Sequence, residues 1–149
     1  MNSSRFALIV CGFVALGVRG AAAQSTPAPC SLLTQAQVSG SLGVSTDAGQ
    51  PIGTTGCTWS SSRIKATVSF WDAGKWDRMK TPLAGMTKTP IGGFGDDAFV
   101  ASVGTTKQLV SLTVKKGVNA VTFKVYGVEN PADQLTMEKA LASNALAKM

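Results

Sequence analysis

The chain contains no histidine. That absence removes the commonest general base near neutral pH, the serine and cysteine triads built on imidazole, and most zinc sites. Charge is scarce as well: 15% of residues are charged, eight acids against fourteen bases, for a formal net charge of +6. So low a charge beside 44% hydrophobic residues argues against a disordered chain. The apolar run at residues 6–18 is thirteen residues long, short of the roughly 20 that a bilayer-spanning helix needs. At 149 residues the chain has room for one domain and little for two. Internal repeats and low-complexity tracts are also missing.

What is present begins with a targeting signal. Arg5 supplies a positive start, the apolar run follows, and Ala21-Ala22-Ala23 matches an A-x-A cleavage site, so residues 1–23 read as a secretory signal peptide cut before Gln24. The rival reading is an uncleaved anchor, against which the shortness of the run argues. Removing 23 of the 149 residues leaves 126, and the loss of Arg5 and Arg19 lowers the net charge to +4. Cys11 leaves with the signal, so Cys30 and Cys57 form an even pair in an exported chain and read as a disulfide, with two free thiols as the rival. The bridge closes a 28-residue loop, which chain entropy makes worth roughly 3–4 kcal/mol. Lipid modification is not expected, because Pro27-Ala28-Pro29 before Cys30 and the residues before Cys11 fit no lipoprotein processing pattern. The expected organisation is a signal peptide at 1–23, a leader at 24–29 and one disulfide-stapled domain at 30–149. The expected location is periplasmic or extracellular, with no stable membrane anchor after cleavage.

Local patterns then place the elements. Thr34 as N-cap, Gln37 at N3, and Leu33 and Val38 flanking them form a capping box with a hydrophobic staple, and Gly43 is placed to end the helix. This predicts a helix over 35–42. Residues 49–56 read as a loop and 57–60 as a strand. Over 64–71, Ile64, Ala66, Val68 and Phe70 alternate with Lys65, Thr67 and Ser69, as in a strand with one wet face. Residues 72–80 suit a short helix that presents Trp76 and Met79 together, and 81–95 read as a loop. A strand at 97–103 precedes a hairpin in which Val110, Leu112 and Val114 face Val121, Phe123 and Val125 across a turn at Gly117. Asn130-Pro131 opens a C-terminal helix running to about 147. Strands clustered in hairpins indicate an α+β fold: two layers, an antiparallel sheet of four or five strands, and the N- and C-terminal helices on one face.

Few constellations carry chemistry. Ser62 and Lys65 match S-x-x-K, but an offset of three on a strand points side chains to opposite faces, and the companion motifs of penicillin-recognising enzymes are missing. Asp96 and Asp97 are the only adjacent acids; they match no calcium loop and read as a glycine-rich turn leading into a strand. No catalytic residues, metal ligands or cofactor are expected. The most suggestive surface runs from Trp71 to Lys80, where Trp71, Lys75, Trp76, Arg78 and Lys80 combine aromatic and cationic groups suited to a ligand or partner. The competing reading has Trp76 and Met79 covering the sheet with the charges solvated.

The segments C-x-L-L-T-x-A-x-V (Cys30 to Val38) and C-x-W (Cys57 to Trp59), with Gly95-Asp96-Asp97-Ala98-Phe99, resemble small secreted or lipoprotein bacterial domains of unknown function. That family carries no accepted activity, so the resemblance implies placement without mechanism, and the missing lipid-attachment pattern departs from its lipidated members. The first half is also similar, at the level of fold, to β-lactamase-inhibitor-like and outer-membrane-assembly lipoproteins. The expected function is a secreted or periplasmic non-catalytic binding domain. An inhibitor of an extracytoplasmic enzyme is the narrower alternative. A histidine-free enzyme using the Asp96 or Asp97 carboxylate is the alternative of another class. The expected partner is an envelope protein or an anionic cell-surface ligand; nucleic acid is not expected, since no basic run exceeds Lys115-Lys116.

Overall fold

A computed structural model describes residues 26–104 and 108–149; the signal segment, Cys11 and the first two leader residues lie outside them. Helix α1, Gln35–Leu42, starts where its capping box dictates. The Gln37 amide donates to Thr34 Oγ1 (3.2 Å) and the Thr34 amide donates to Gln37 Oε1 (2.9 Å). Gly43, at φ 67°, turns the chain out of the helix in a conformation that side-chain-bearing residues rarely adopt. Leu33 and Val38, on either side of the cap, are buried in one cluster.

Seven antiparallel strands follow: β1 Gln50–Ile52, β2 Gly56–Ser60, β3 Lys65–Asp72, β4 Met86–Pro90, β5 Asp97–Val103, β6 Gln108–Lys116 and β7 Asn119–Tyr126. They form one sheet in the order β1-β2-β3-β7-β6-β5-β4. The α+β class and antiparallel sheet agree with the sequence pattern, but the expected count of four or five strands is corrected to seven among the described residues. The two additional strands are the edges, β1 and β4, within segments read as loops. An edge strand has one neighbour and need not alternate: all three β1 residues are exposed, and both edges carry a proline, which a central strand would exclude.

Register sorts the side chains into two faces. Cys57, Val68, Phe123, Leu112 and Val100 line up across five strands, with Phe70, Val121, Val114 and Ala98 in a parallel row. Against this face pack α1 and α3, Pro131–Leu146, the latter capped by Asn130 and burying Leu141, Ala142 and Ala145. The Cys30–Cys57 disulfide (Cα–Cα 5.1 Å) fastens a turn of 3-10 helix, Pro29–Ser31, to β2. Gly49 passes so close that a Cβ there would lie 2.8 Å from the Trp59 ring and 2.9 Å from Cys57 Sγ. The opposite face is covered over part of its area by a 3-10 turn, Ala73–Lys75, and helix α2, Trp76–Lys80. The expected short helix at 72–80 is thus split, because the Asp72 carboxylate accepts the Gly74 amide (2.8 Å) and tightens the first turn.

The sheet forks. The β6–β7 ladder stops at the Leu112–Phe123 pair, beyond which β6 follows β5 through a register shift at Ala101/Ser102 while β7 follows β3. Helix α3 fills the gap with two side chains. The Val125 amide donates to Glu138 Oε1 (3.0 Å), and Gln134 Nε2 donates to the Val125 carbonyl (2.8 Å). Side chains therefore satisfy a strand residue that has lost its ladder partner. Glu138 is fully buried, and its Oε2 has no hydrogen-bond partner among the described residues. Burial pushes its carboxyl up from 4.5 to about 7, against the opposing pull of the Val125 amide, Gln134, the Leu112 backbone and the Lys124 charge.

The sign of the resulting pH effect follows from that shift. Below pH 4.5 the carboxyl is neutral in both folded and unfolded chains, and its contribution to stability is whole. As pH rises from 4.5 to about 7 the unfolded chain ionises first, and stability falls by on the order of 3 kcal/mol before levelling. Glu138→Gln should lose this slope relative to wild type in urea melts at pH 5 and pH 8. Identical slopes in the two proteins would refute the assignment.

Candidate functional site

The face opposite α1 and α3 carries the segment singled out by its aromatic and basic residues. Successive β3 side chains alternate between faces, so Phe70 enters the core and Trp71 emerges on the outer face, beside the small Ala120 of β7. The chain then doubles back as α2 over the neighbouring strands. Trp76 packs on Phe99 of β5, ring centroids 5.4 Å apart, with Ala73, Ala101 and Ala120 around them. Its indole N–H donates to Asp97 Oδ2 (2.9 Å), and Lys80 Nζ contacts the same oxygen at 2.7 Å. Lys80 foremost, then Trp76, hold the Asp97 carboxyl below its ordinary 3.8. One carboxylate at the start of β5 therefore pins both ends of α2.

Between α2, β4 and the sheet lies a groove of about 390 Å³. Its floor is Phe99 and Ala101 of β5, Ser111 and Thr113 of β6 and Thr122 of β7; its walls are Trp71, Met79, Leu83, Met86 and Lys88. A second recess of about 350 Å³ shares Trp71, Met79, Leu83 and Lys88 and extends to Lys75 and Arg78. Two apolar side chains stand open at this site, Trp71 at 52% exposure and Leu83 at 68%. Lys88 Nζ donates to the Met79 carbonyl and lies 5.2 Å above the Phe99 ring, joining β4 to α2. Lys75 and Arg78 make no side-chain hydrogen bond or ion pair among the described residues. Among the described residues no acidic side chain lines either recess. The site is a mostly apolar trough with Lys88 on its wall and two further cations at one end.

Of the five residues picked from the sequence, the structure brings Trp71, Lys75 and Arg78 into one groove. Trp76 is only 5% exposed and serves as the packing beneath α2, while Lys80 is engaged by Asp97. Sequence reasoning missed Leu83, Met86, Lys88, Phe99 and Ala101. A signal for the last two was present: Ala98-Phe99-Val100-Ala101 is apolar on both alternating sets, the mark of a strand covered on both faces.

The remaining motifs have structural partners. Asp96 Oδ2 accepts the Gly117 amide (2.7 Å) and the Asp96 amide donates to the Lys115 carbonyl (2.8 Å), which ties the glycine-rich turn to the β6–β7 hairpin. Gly95, at φ 57°, permits that close approach. Ser62 lies in an exposed turn, and Lys65 stacks on the Tyr126 ring at 5.2 Å with Lys124 on the same ring at 4.9 Å. A wider cleft of about 850 Å³ lies between the C-terminus of α1 and the start of α3, but Arg63, Glu129 and Asp133 bring both signs of charge to it, so its lining favours no single ligand chemistry. Among the described residues no cluster of three acids or cysteines is placed to hold a metal, and no helix is long and apolar enough to cross a membrane. No family model, curated protein or solved structure matches the chain.

Asp97→Ala leaves the Trp76 N–H without its partner and should cost about 1–3 kcal/mol in denaturant melts. Lys80→Ala removes only a half-open ion pair and should cost less than about 1 kcal/mol. Equal losses would show that the indole bond does not anchor α2.

Proposed function

We propose that the protein is an extracytoplasmic, non-catalytic binding domain whose contact surface is the groove between α2, β4 and the outer sheet face. The observation that carries this reading is the pairing of exposed Trp71 and Leu83 with a groove floored by Phe99 and Ala101 and with the cations Lys75 and Arg78. Exposed apolar side chains lining a concavity cost solubility and are the ordinary mark of a contact site. The signal-like N-terminus and the Cys30–Cys57 bridge support placement in an oxidising compartment. An anionic partner, either an envelope protein or a cell-surface ligand, suits the rim. The carboxylate-enzyme reading has less support: Asp97 is held below the ordinary carboxyl range, opposite to what a general acid needs, and Asp96 is engaged in a turn.

Cross-linking of the mature protein in its native envelope, read by mass spectrometry, tests the surface. Trp71→Ala and Leu83→Asp should each remove most cross-linked species, while a substitution at the wide cleft, Thr136→Ala, should leave them. Retention of every species in both groove variants would move the contact surface elsewhere.

A further inference from the structure

We propose that the groove holds a single acyl chain ending in an anionic head, with the head at Lys75 and Arg78 and the chain lying along Phe99, Ala101 and Met86. This rests on the groove being the binding surface. The chemistry at the two ends differs. Among the described residues, the recess that reaches Lys75 and Arg78 has cations and no acid, whereas the groove beyond is mostly apolar: Phe99, Ala101, Met79 and Met86 line it beside three hydroxyl residues and Lys88, whose ammonium is taken up by the Met79 carbonyl. A ligand that matches both must be charged at one end and apolar along the other.

The floor distinguishes an alkyl chain from a peptide. It is the face of paired strands whose backbone groups lie in the plane of the sheet: β5 pairs β6 through Phe99–Thr113 and Ala101–Ser111, and β6 pairs β7 at Thr113–Thr122, that ladder ending before Ser111. Of its hydroxyls, Thr113 and Thr122 bond each other at 3.0 Å and Ser111 is buried. A peptide laid there would find few partners for its amides and would leave them unpaired. An alkyl chain has no such groups. Met79 and Met86 on the walls are unbranched and adapt to chains of varying shape. The volume of about 390 Å³ lies within the span of small-molecule sites, roughly 300–1,000 Å³. The shared chemistry, an acyl tail with a negative head, could come from a free fatty acid or from an anionic lysophospholipid.

Isothermal titration of the mature protein with saturated fatty acids from octanoate to palmitate, below their micelle limits, tests the proposal. Methyl esters, lysophosphatidylglycerol and zwitterionic lysophosphatidylcholine complete the set. Saturable binding is expected, tightening roughly three- to fourfold per added methylene until the groove is full. Acids should bind about tenfold tighter than their esters, and Lys75→Ala/Arg78→Ala should erase that gap while keeping the chain-length dependence. A tighter fit for lysophosphatidylglycerol than for any fatty acid would assign the lysophospholipid as the source, and the reverse would assign the free acid. A brominated fatty acid should quench tryptophan fluorescence, and Trp71→Phe should lose part of that quenching, Trp76 on Phe99 keeping the rest, with affinity changed only a few-fold. Equal affinity for acid and ester, no chain-length dependence, or no saturable binding would overturn the proposal. If lipids fail while Trp71→Ala and Leu83→Asp still abolish the envelope cross-links, the groove stands as a binding surface and the acyl occupant is wrong. Displacement of those cross-links by an acidic apolar peptide, with lipids inert, would also overturn it. Thermal melts of each variant separate lost binding from lost folding.

Discussion

The register of the central strands decides everything that lies above and below them. Cys57, Val68, Phe123, Leu112 and Val100 share a row, and the rows on either side repeat the arrangement with Phe70, Val121, Val114 and Ala98 or with Trp59, Ala66 and Val125. A one-residue slip in any strand would send its apolar set to the other face. With the register held, α1 and α3 have a continuous apolar surface to cover, and the disulfide has its β2 cysteine on that same face. The opposite face is then fixed by exclusion: Trp71, Phe99, Thr113 and Thr122 must point the other way.

That second face is handled differently from the first. The five-residue helix α2 is too short to be stable on its own, so it depends on the Trp76 ring below it and the Asp97 carboxylate beside it. Phe99 accepts the Trp76 ring, and Lys88 reaches across from β4. These contacts shield one part of the sheet and leave a trough next to it, open between Trp71 and Leu83. Cover by α1 and the sixteen-residue α3 buries the first face, whereas partial cover by one short helix leaves a groove on the second.

Legibility in the sequence followed how local each signal was. The capping box of α1, the cap and proline that open α3, and the β6–β7 hairpin all lie within a few neighbouring residues, and each recurs in the structure with nearly the expected bounds. Alternation marked the core face of β3 because that strand is central and has one wet side. The edges β1 and β4 had no such mark, since Gln50-Pro51-Ile52 and Met86-Thr87-Lys88-Thr89-Pro90 owe their extended form to ladder bonds with one neighbour. Glu138 was invisible for the same reason: a glutamate within a helix reads as a solvated charge until a fork in the sheet is seen beneath it. The site was half legible. Trp71, Lys75 and Arg78 are close in sequence, but Leu83, Lys88 and Phe99 reach them only through the fold.

The strand order has a kinetic consequence. β1, β2 and β3 form one meander, and β4, β5, β6 and β7 form another, each joined by connections between sequence neighbours. The two meet along a single seam, β3 against β7, which runs from the Lys65–Tyr126 pair to the Asp72–Asn119 pair. Each half can begin from short loops, while the seam must close a long one, the kind of pairing that sets the pace of folding. Trp71 belongs to the first half and Phe99, Met86 and Thr122 to the second. The groove therefore depends on the least local strand pairing in the sheet, and a form in which the two halves have separated has no groove.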